Sequence, residues 1–531
     1  MSASIHTPAE ASAAPGSTQP GSPPPGAAAR TPGRGWTLAI VSIATFMLML
    51  DLTVVNVALP DLRNALHADF SGLQWVLDAY ALTLAAFLLT GGSLADRLGR
   101  KRVFIAGFGL FTAASLACGA APDIVALNVA RGLQGVGGAV LFAVGPALIG
   151  QEFRGKDRAK AFGVFGGVSG LAIAFGPLIG GGLTSGVGWR WIFLINVPIG
   201  VAAMVLGVLR MRESREPGAH RVDWVGLTLF SVALSMLVLG FLRGEAEGWT
   251  SPLILSLFAG GVVLLAIFVL VERRAGAAAM LDLSLFRIRT FNGISVATFL
   301  GNAAGMSAIF LEVSYMQNVI GSSPWEAGLR FLPLTLMLFV AAAVTGSLTV
   351  AVPPRVLVGV SLTLIAVGLV LVRLVDVHSG WTAMLPSLIV TGAGMGMFNP
   401  PRASISIGVA EPARAGMAAG MGETFQQVGI AIGIAGFGAL FQHRVGDAFA
   451  SSVPGASETA RQAVAAGAGD QLARTVPAAM RQTVAEAARS AFVHGLGDVL
   501  LICGGVAGLG ALIAFLTLSR KDLHESALAE A

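Results

Sequence analysis

The sequence predicts an all-α integral membrane protein of fourteen transmembrane helices, arranged as two six-helix bundles with two additional central helices. Composition is the first observation behind this: 55% of the 531 residues are hydrophobic, only 12% are charged, and the mean hydropathy is +0.77. Those values exclude a soluble multidomain protein. The second is that apolar runs long enough to cross a bilayer recur fourteen times. The third is that basic residues gather at alternate connections, as the positive-inside bias requires. A net charge of +5 and a pI of about 9.7 therefore reflect cytoplasmic loops and give no reason to invoke nucleic acid.

The elements follow in order. Residues 1–34 are rich in Pro, Ala, Gly and Ser and read as a disordered cytoplasmic tail without a cleavable signal. The N-terminal bundle occupies 35–213, with spans at about 36–59, 75–94, 103–120, 123–150, 161–183 and 191–211. Two additional transmembrane helices fill 222–272, at about 224–243 and 252–271. The C-terminal bundle, 286–519, has spans at about 291–318, 327–350, 355–375, 382–406, 415–441 and 496–518, and 520–531 form a second cytoplasmic tail. The runs at 123–150 and 291–318 exceed the hydrocarbon thickness, so they tilt or project. Residues 443–495 are polar, Ala-rich and interrupted by Pro454 and Pro477. They cannot span, and they read as an external loop with helical stretches over 457–475 and 478–492. With the N-terminus inside, the basic turn at 97–102 falls on the cytoplasmic face, together with Arg154, Lys160, Arg210, Arg273, Arg355, Arg402, Arg414 and Arg520. Both termini come out cytoplasmic.

Ionisable side chains within the hydrocarbon cost several kcal/mol and are functional candidates. Asp51 lies about 22 Å up the first helix from Trp36, and Asp78 about 27 Å up from Asp96 in the second. Arg131 enters the fourth helix from the outside to a depth of roughly 10 Å. All three are expected in one layer of the first bundle. A carboxylate there is pulled toward the neutral acid by desolvation and toward the anion by a nearby guanidinium, which makes a proton switch. A fixed buried pair is the competing reading. In the second bundle Glu423 lies about 13 Å into its helix, just before Gln426 and Gln427, and Glu312 lies late in the ninth span. Glu423, Glu312 and Gln426 are the candidate substrate-binding residues. The run from Gly170 to Gly182 contains Gly176-Pro177, which allows close helix contact and a bend.

Several motifs share one resemblance. Gly92-Ser-Leu-Ala-Asp96-Arg97-Leu-Gly99-Arg100-Lys101 resembles the loop between helices 2 and 3 of the major facilitator superfamily. A degenerate echo, Gly346-Ser-Leu, closes the tenth span with Val350 where the first half has Asp96, as a duplicated architecture would leave it. Leu50-Asp51-Leu-Thr-Val-Val-Asn56-Val-Ala-Leu-Pro60, the Arg131-Gly-Leu-Gln134 helix, Gly176-Pro177 and Trp189-Arg-Trp191 are similar to the fourteen-helix drug:proton antiporter branch, of EmrB/QacA type. The resemblance implies the major facilitator fold, proton or cation handling at Asp51 and Asp78, and antiport through the fifth helix. It also implies gating in which Asp96 engages a neighbouring helix N-terminus and holds the outward-facing state, with Arg97 beside it as a further gating candidate.

The expectation is a proton-driven multidrug efflux transporter of lipophilic or cationic compounds, working by alternating access in a bacterial cytoplasmic membrane. Its partners would be drug-like substrates, protons and the lipid bilayer. It would act as a monomer, with no cofactor beyond the proton gradient, no metal and no nucleic acid. A dedicated exporter of one antibiotic, siderophore or lipid fits the same residues. A polytopic enzyme fits poorly: the seven histidines are scattered, and no metal spacing, nucleophile elbow or phosphate loop is present. A receptor would leave the buried acids without a task.

Overall fold

Breaks in the apolar runs set the helix ends. The computed structural model describes residues 34–68, 70–213, 223–275, 279–349, 351–411 and 414–523; of the predicted tails, 1–33 and 524–531 lie outside the described residues, as does the Pro177 side chain. The first bundle comprises α1 (Arg34–Leu66), α2 (Phe70–Leu98), α3 (Arg100–Gly119), α4 (Ile124–Glu152), α5 (Gly155–Gly186) and a sixth span divided into α6 (Trp191–Leu194) and α7 (Asn196–Arg210). Between the bundles stand α8 (Trp224–Glu247) and α9 (Pro252–Ala275). The second bundle begins with α10 (Arg289–Asn318) and continues with α11 (Pro324–Arg330), α12 (Leu332–Leu348), α13 (Pro354–Leu371), α14 (Leu385–Gly408) and α15 (Ala415–Ser452). After α16 (Glu458–Ala465) and α17 (Gly469–Thr475), α18 (Arg481–Thr517) completes it.

Local chemistry explains the ends. Gly99, at φ 109°, makes the left-handed turn between α2 and α3 that a side chain would resist. Asp123 accepts the Ala126 N–H at 2.8 Å to start α4, and Asp223 accepts that of Gly226 at 2.8 Å to start α8. Ser323 and Glu326 form a capping box on α11, and the helix breaks before Pro333. Among the described residues, twelve helices are long and apolar enough to cross a membrane. The 32-residue α5 and the α11–α12 pair occupy the positions of the other two predicted spans. A lipid setting explains α9, which buries only Ile254, Gly261, Phe268 and Glu272 and exposes Leu253, Val262, Val263 and Leu270.

The halves repeat one packing scheme. In the first, α1 packs on α5, α2 on α4, α3 on α4 and α3 on α7; in the second, α10 packs on α15, α12 on α14, α13 on α14 and α13 on α18. The bundles meet along two equivalent seams, α2 with α15 and α5 with α12. The Gly346 echo has its explanation there. A Cβ at Gly163 of α5 would stand 3.5 Å from the Gly346 Cα, while one at Gly92 of α2 would overlap the Gly416 carbonyl of α15.

The 443–495 segment departs from the sequence expectation. α15 runs on to Ser452, and the helix expected at 478–492 is the beginning of α18, continuous with the last span. Pro477 stands before that helix, and no proline interrupts it afterwards. The expected 457–475 helix is split into α16 and α17 at Gly467, whose φ is 84°. The short α16–α17 pair is thus carried on two helices that project at the end opposite the basic turn.

Candidate functional site

Four helices bring together a buried polar cluster in the first bundle. Asp51 of α1 and Arg131 of α4 form an ion pair with side chains 0% and 1% exposed. Gln134, one turn after Arg131, accepts from the guanidinium at 2.7 Å and donates to Asp51 Oδ1 at 2.9 Å and to Ser115 of α3 at 2.8 Å. Arg131 Nε donates to the Val76 carbonyl at 3.0 Å, and the guanidinium carbon lies 4.2 Å above the Tyr80 ring of α2. Both Asp51 oxygens and Arg131 Nε and Nη1 are therefore hydrogen-bonded, as charges in this setting demand. Gly176 brings α5 against this layer, since a Cβ there would overlap the Thr53 hydroxyl two residues past Asp51.

Asp78 stands apart from that cluster. It shares a face of α2 with Gln74, four residues earlier, and Gln74 accepts from Arg243 of α8 at 3.5 Å. Asp78 is 7% exposed, and its Oδ2 meets no hydrogen-bond partner among the described residues. The structure joins Asp51 to Arg131 and turns Asp78 toward α8.

At the end of α2 carrying the basic turn, Asp96 caps α15. Its carboxylate accepts the Gly416 N–H at 2.9 Å and the Met417 N–H at 2.8 Å, and it also binds Arg100 at 2.8 Å. Arg100 reaches on to Gln151 of α4 at 2.9 Å. A helix N-terminus offers free N–H groups and a positive dipole end, so a carboxylate there ties one bundle to the other. Close approach depends on glycine: a Cβ at Gly420 would lie 2.7 Å from the Leu88 carbonyl oxygen. Arg97 turns elsewhere, donating to the Ala279 carbonyl at 2.7 Å.

The candidate residues of the second bundle occupy two places. Glu423 is ion-paired with Arg402 of α14 at 3.0 Å, both side chains being 3% exposed. The Arg402 guanidinium is thus buried in the bundle, whereas charge counting put it in a cytoplasmic connection. Glu423 Oε2, Arg402 Nε and Gln426 Oε1 meet no hydrogen-bond partner among the described residues. Glu312 is fully buried near the far end of α10, where the Ser387 hydroxyl donates to Oε1 at 3.2 Å and Oε2 has no partner among the described residues. Gly429 meets Phe299 and Gly433 meets Ala303, so α10 and α15 run in parallel register and Glu312 sits level with position 442. About 28 Å separates it from Glu423 along the axis. Sequence reasoning missed Gln134, Arg402, Arg100 and Ser387 as partners; only the i, i+3 spacing of Arg131 and Gln134 signalled one of them.

A family model described as the Major Facilitator Superfamily matches residues 41–434. Related chains include the tetracenomycin C resistance and export protein of Streptomyces glaucescens, 33% identical over 495 residues that cover 91% of this chain and 92% of the relative. The multidrug resistance protein Stp of Mycobacterium tuberculosis is 34% identical over 406 residues, covering 76% and 75%. Among solved structures, the proton:xylose symporter XylE superposes with a TM-score of 0.62 at 12% identity over 93% of this chain and 98% of that one, a likeness of fold alone.

Proposed function

Because the chain belongs to the Major Facilitator Superfamily and is a drug-efflux transporter of that family rather than an enzyme, we propose that it exports lipophilic or cationic compounds in exchange for protons by alternating access. The observation that carries proton coupling is the Asp51–Arg131–Gln134 cluster: a fully buried carboxylate, within a membrane-spanning helix, beside a guanidinium it must share with a proton. When Asp51 is charged, the pair is compensated. Protonation frees Arg131 toward Gln134, so the two protonation states favour different helix arrangements. Gly176 gives α5 the contact through which such a change reaches the interface between bundles. Asp78 is a second proton or cation site, on the α8 side.

Alternating access would work on the two seams. Asp96 and the glycines of α2 and α15 close the end bearing the basic turn, the cytoplasmic end by the charge rule. That arrangement is the outward-facing state. Glu423 and Gln426 would meet substrate at the inner half of α15, and Glu312 would act nearer the outside. Both termini would be cytoplasmic in a bacterial inner membrane, with 443–495 outside, and a monomer would suffice. A dedicated exporter is the second reading, favoured by relatives named for single compounds, tetracenomycin C and actinorhodin.

Everted membrane vesicles with an imposed pH gradient test the proposal. Gradient-dependent uptake of several dyes, quaternary ammonium compounds and antibiotics is the expected result. Uptake of one compound alone selects the dedicated exporter, and uptake indifferent to the gradient overturns proton coupling.

A further inference from the structure

Of the two helices between the bundles, α8 lies against the α2/α15 seam, packing on both α2 and α15, and α9 packs on α8. The chain leaving α9 then crosses that seam. Within four residues, 279–282, it bonds to both sides. Toward α2, the Ala279 carbonyl accepts from Arg97 at 2.7 Å and the Met280 carbonyl from Ser93 at 3.5 Å. Toward α15, Asp282 pairs with Arg414 at 2.9 Å and its N–H meets the Met417 sulfur at 3.2 Å. Glu272 of α9 anchors the crossing by accepting the Leu281 N–H at 3.1 Å, and Thr90 of α2 bonds Ser231 of α8 at 2.9 Å. Met280 and Leu281, 2% and 3% exposed, pack in one apolar cluster with Leu89 of α2 and Met417 of α15.

We propose that the α8–α9 insert is a latch on the cytoplasmic gate, and that Asp282 and Arg414 are its positioning residues. Their ion pair fastens the crossing segment to α15, so that the Ala279 and Met280 carbonyls face Arg97 and Ser93. The gate is then closed by two fastenings: the Asp96 cap, direct from α2 to α15, and the insert, which straddles them. Parting of α2 from α15 must break the second as well as the first. The proposal rests on the reading of that seam as the cytoplasmic gate. It gives the two additional helices a share in setting how readily the transporter opens inward.

The test measures gate opening directly. Leu89, fully buried at the seam, is replaced by cysteine in the full chain with Cys118 and Cys503 changed to serine. Labelling by a membrane-impermeant maleimide is then timed in everted vesicles. Side chains about one-third exposed make a modest ion pair, so Asp282→Arg and Arg414→Asp are each expected to raise the labelling rate about fivefold. The double exchange, Asp282→Arg with Arg414→Asp, is expected to restore it, which a merely disordered segment would not do. Asp96→Asn serves as the reference for a weakened gate. If Asp96→Asn speeds labelling and the two single reversals do not, or if the exchange fails to restore it, the latch is overturned while the gate stands. If no variant speeds labelling, Asp96→Asn included, the gate falls and the latch with it.

Discussion

Replacing Asp51 by asparagine places two donors face to face. The Asn amide nitrogen would take the position of the oxygen that now meets Arg131 Nη1, while Gln134 still donates to Oδ1. Arg131, 1% exposed, would keep Gln134 and the Val76 carbonyl but lose its counter-charge. Removing one member of a buried pair costs about 3–5 kcal/mol, a large part of the roughly 5–15 kcal/mol that holds a typical domain folded. Asp51→Asn is therefore expected to insert but to melt early, and to lose gradient-driven transport. Asp51→Asn with Arg131→Gln separates the two effects. It removes both charges and regains most of the stability, so its thermal midpoint in detergent should approach the parental value while pH-driven uptake stays at the uncoupled level. Uptake by the double variant at the parental rate would refute the assignment of the proton site.

Asp96→Asn loses the charge at the α15 N-terminus, worth up to about 2 kcal/mol in a partly buried setting, and should shift the balance toward the inward-facing state up to roughly thirtyfold; unchanged accessibility of a seam cysteine would count against the gate. Gly92→Ala forces a methyl group onto the Gly416 carbonyl, so it should hold the seam apart and stop transport while leaving membrane insertion normal, as read by labelling of the same cysteine. Glu423→Gln leaves Arg402 positive without its carboxylate, and should weaken cationic substrates more than matched neutral ones; equal small losses would make Glu423 a packing residue. A cysteine at Arg102, whose side chain is 72% exposed, should react with an impermeant reagent in everted vesicles and not in intact cells, and the reverse would invert the topology.

Span positions, their order and the duplicated plan were legible because each depends on local hydropathy and turn chemistry. Depth was legible too, since rise per residue is constant. Azimuth was not. Asp51 and Asp78 come out at similar heights, yet only neighbouring helices decide that one meets Arg131 and the other turns to α8. Arg402 shows the same limit. Counted along the chain it adjoins Pro400-Pro401 and reads as part of a basic connection, but α14 continues through both prolines to Gly408 and carries the guanidinium inside. Asp96 was marked by its motif, whereas its partners on α15 lie more than 300 residues away. Continuity of α18 was missed because polarity separates water-exposed turns from apolar ones without ending the helix.

The extended α15 and α18 have a mechanical consequence. At 38 and 37 residues they are about 57 and 56 Å long, nearly twice the roughly 30 Å hydrocarbon thickness. The excess projects as a stiff arm joined to the second bundle without a hinge, and Gly495 packs on Val445 where the two helices leave the membrane side by side. Any tilt of that bundle is magnified at the tip: over an arm of about 25 Å, a 10° rotation displaces it by about 4 Å. A fluorophore on the α16–α17 tip would therefore work as a pointer, reading at the end opposite the basic turn a motion whose pivot lies within the bundle.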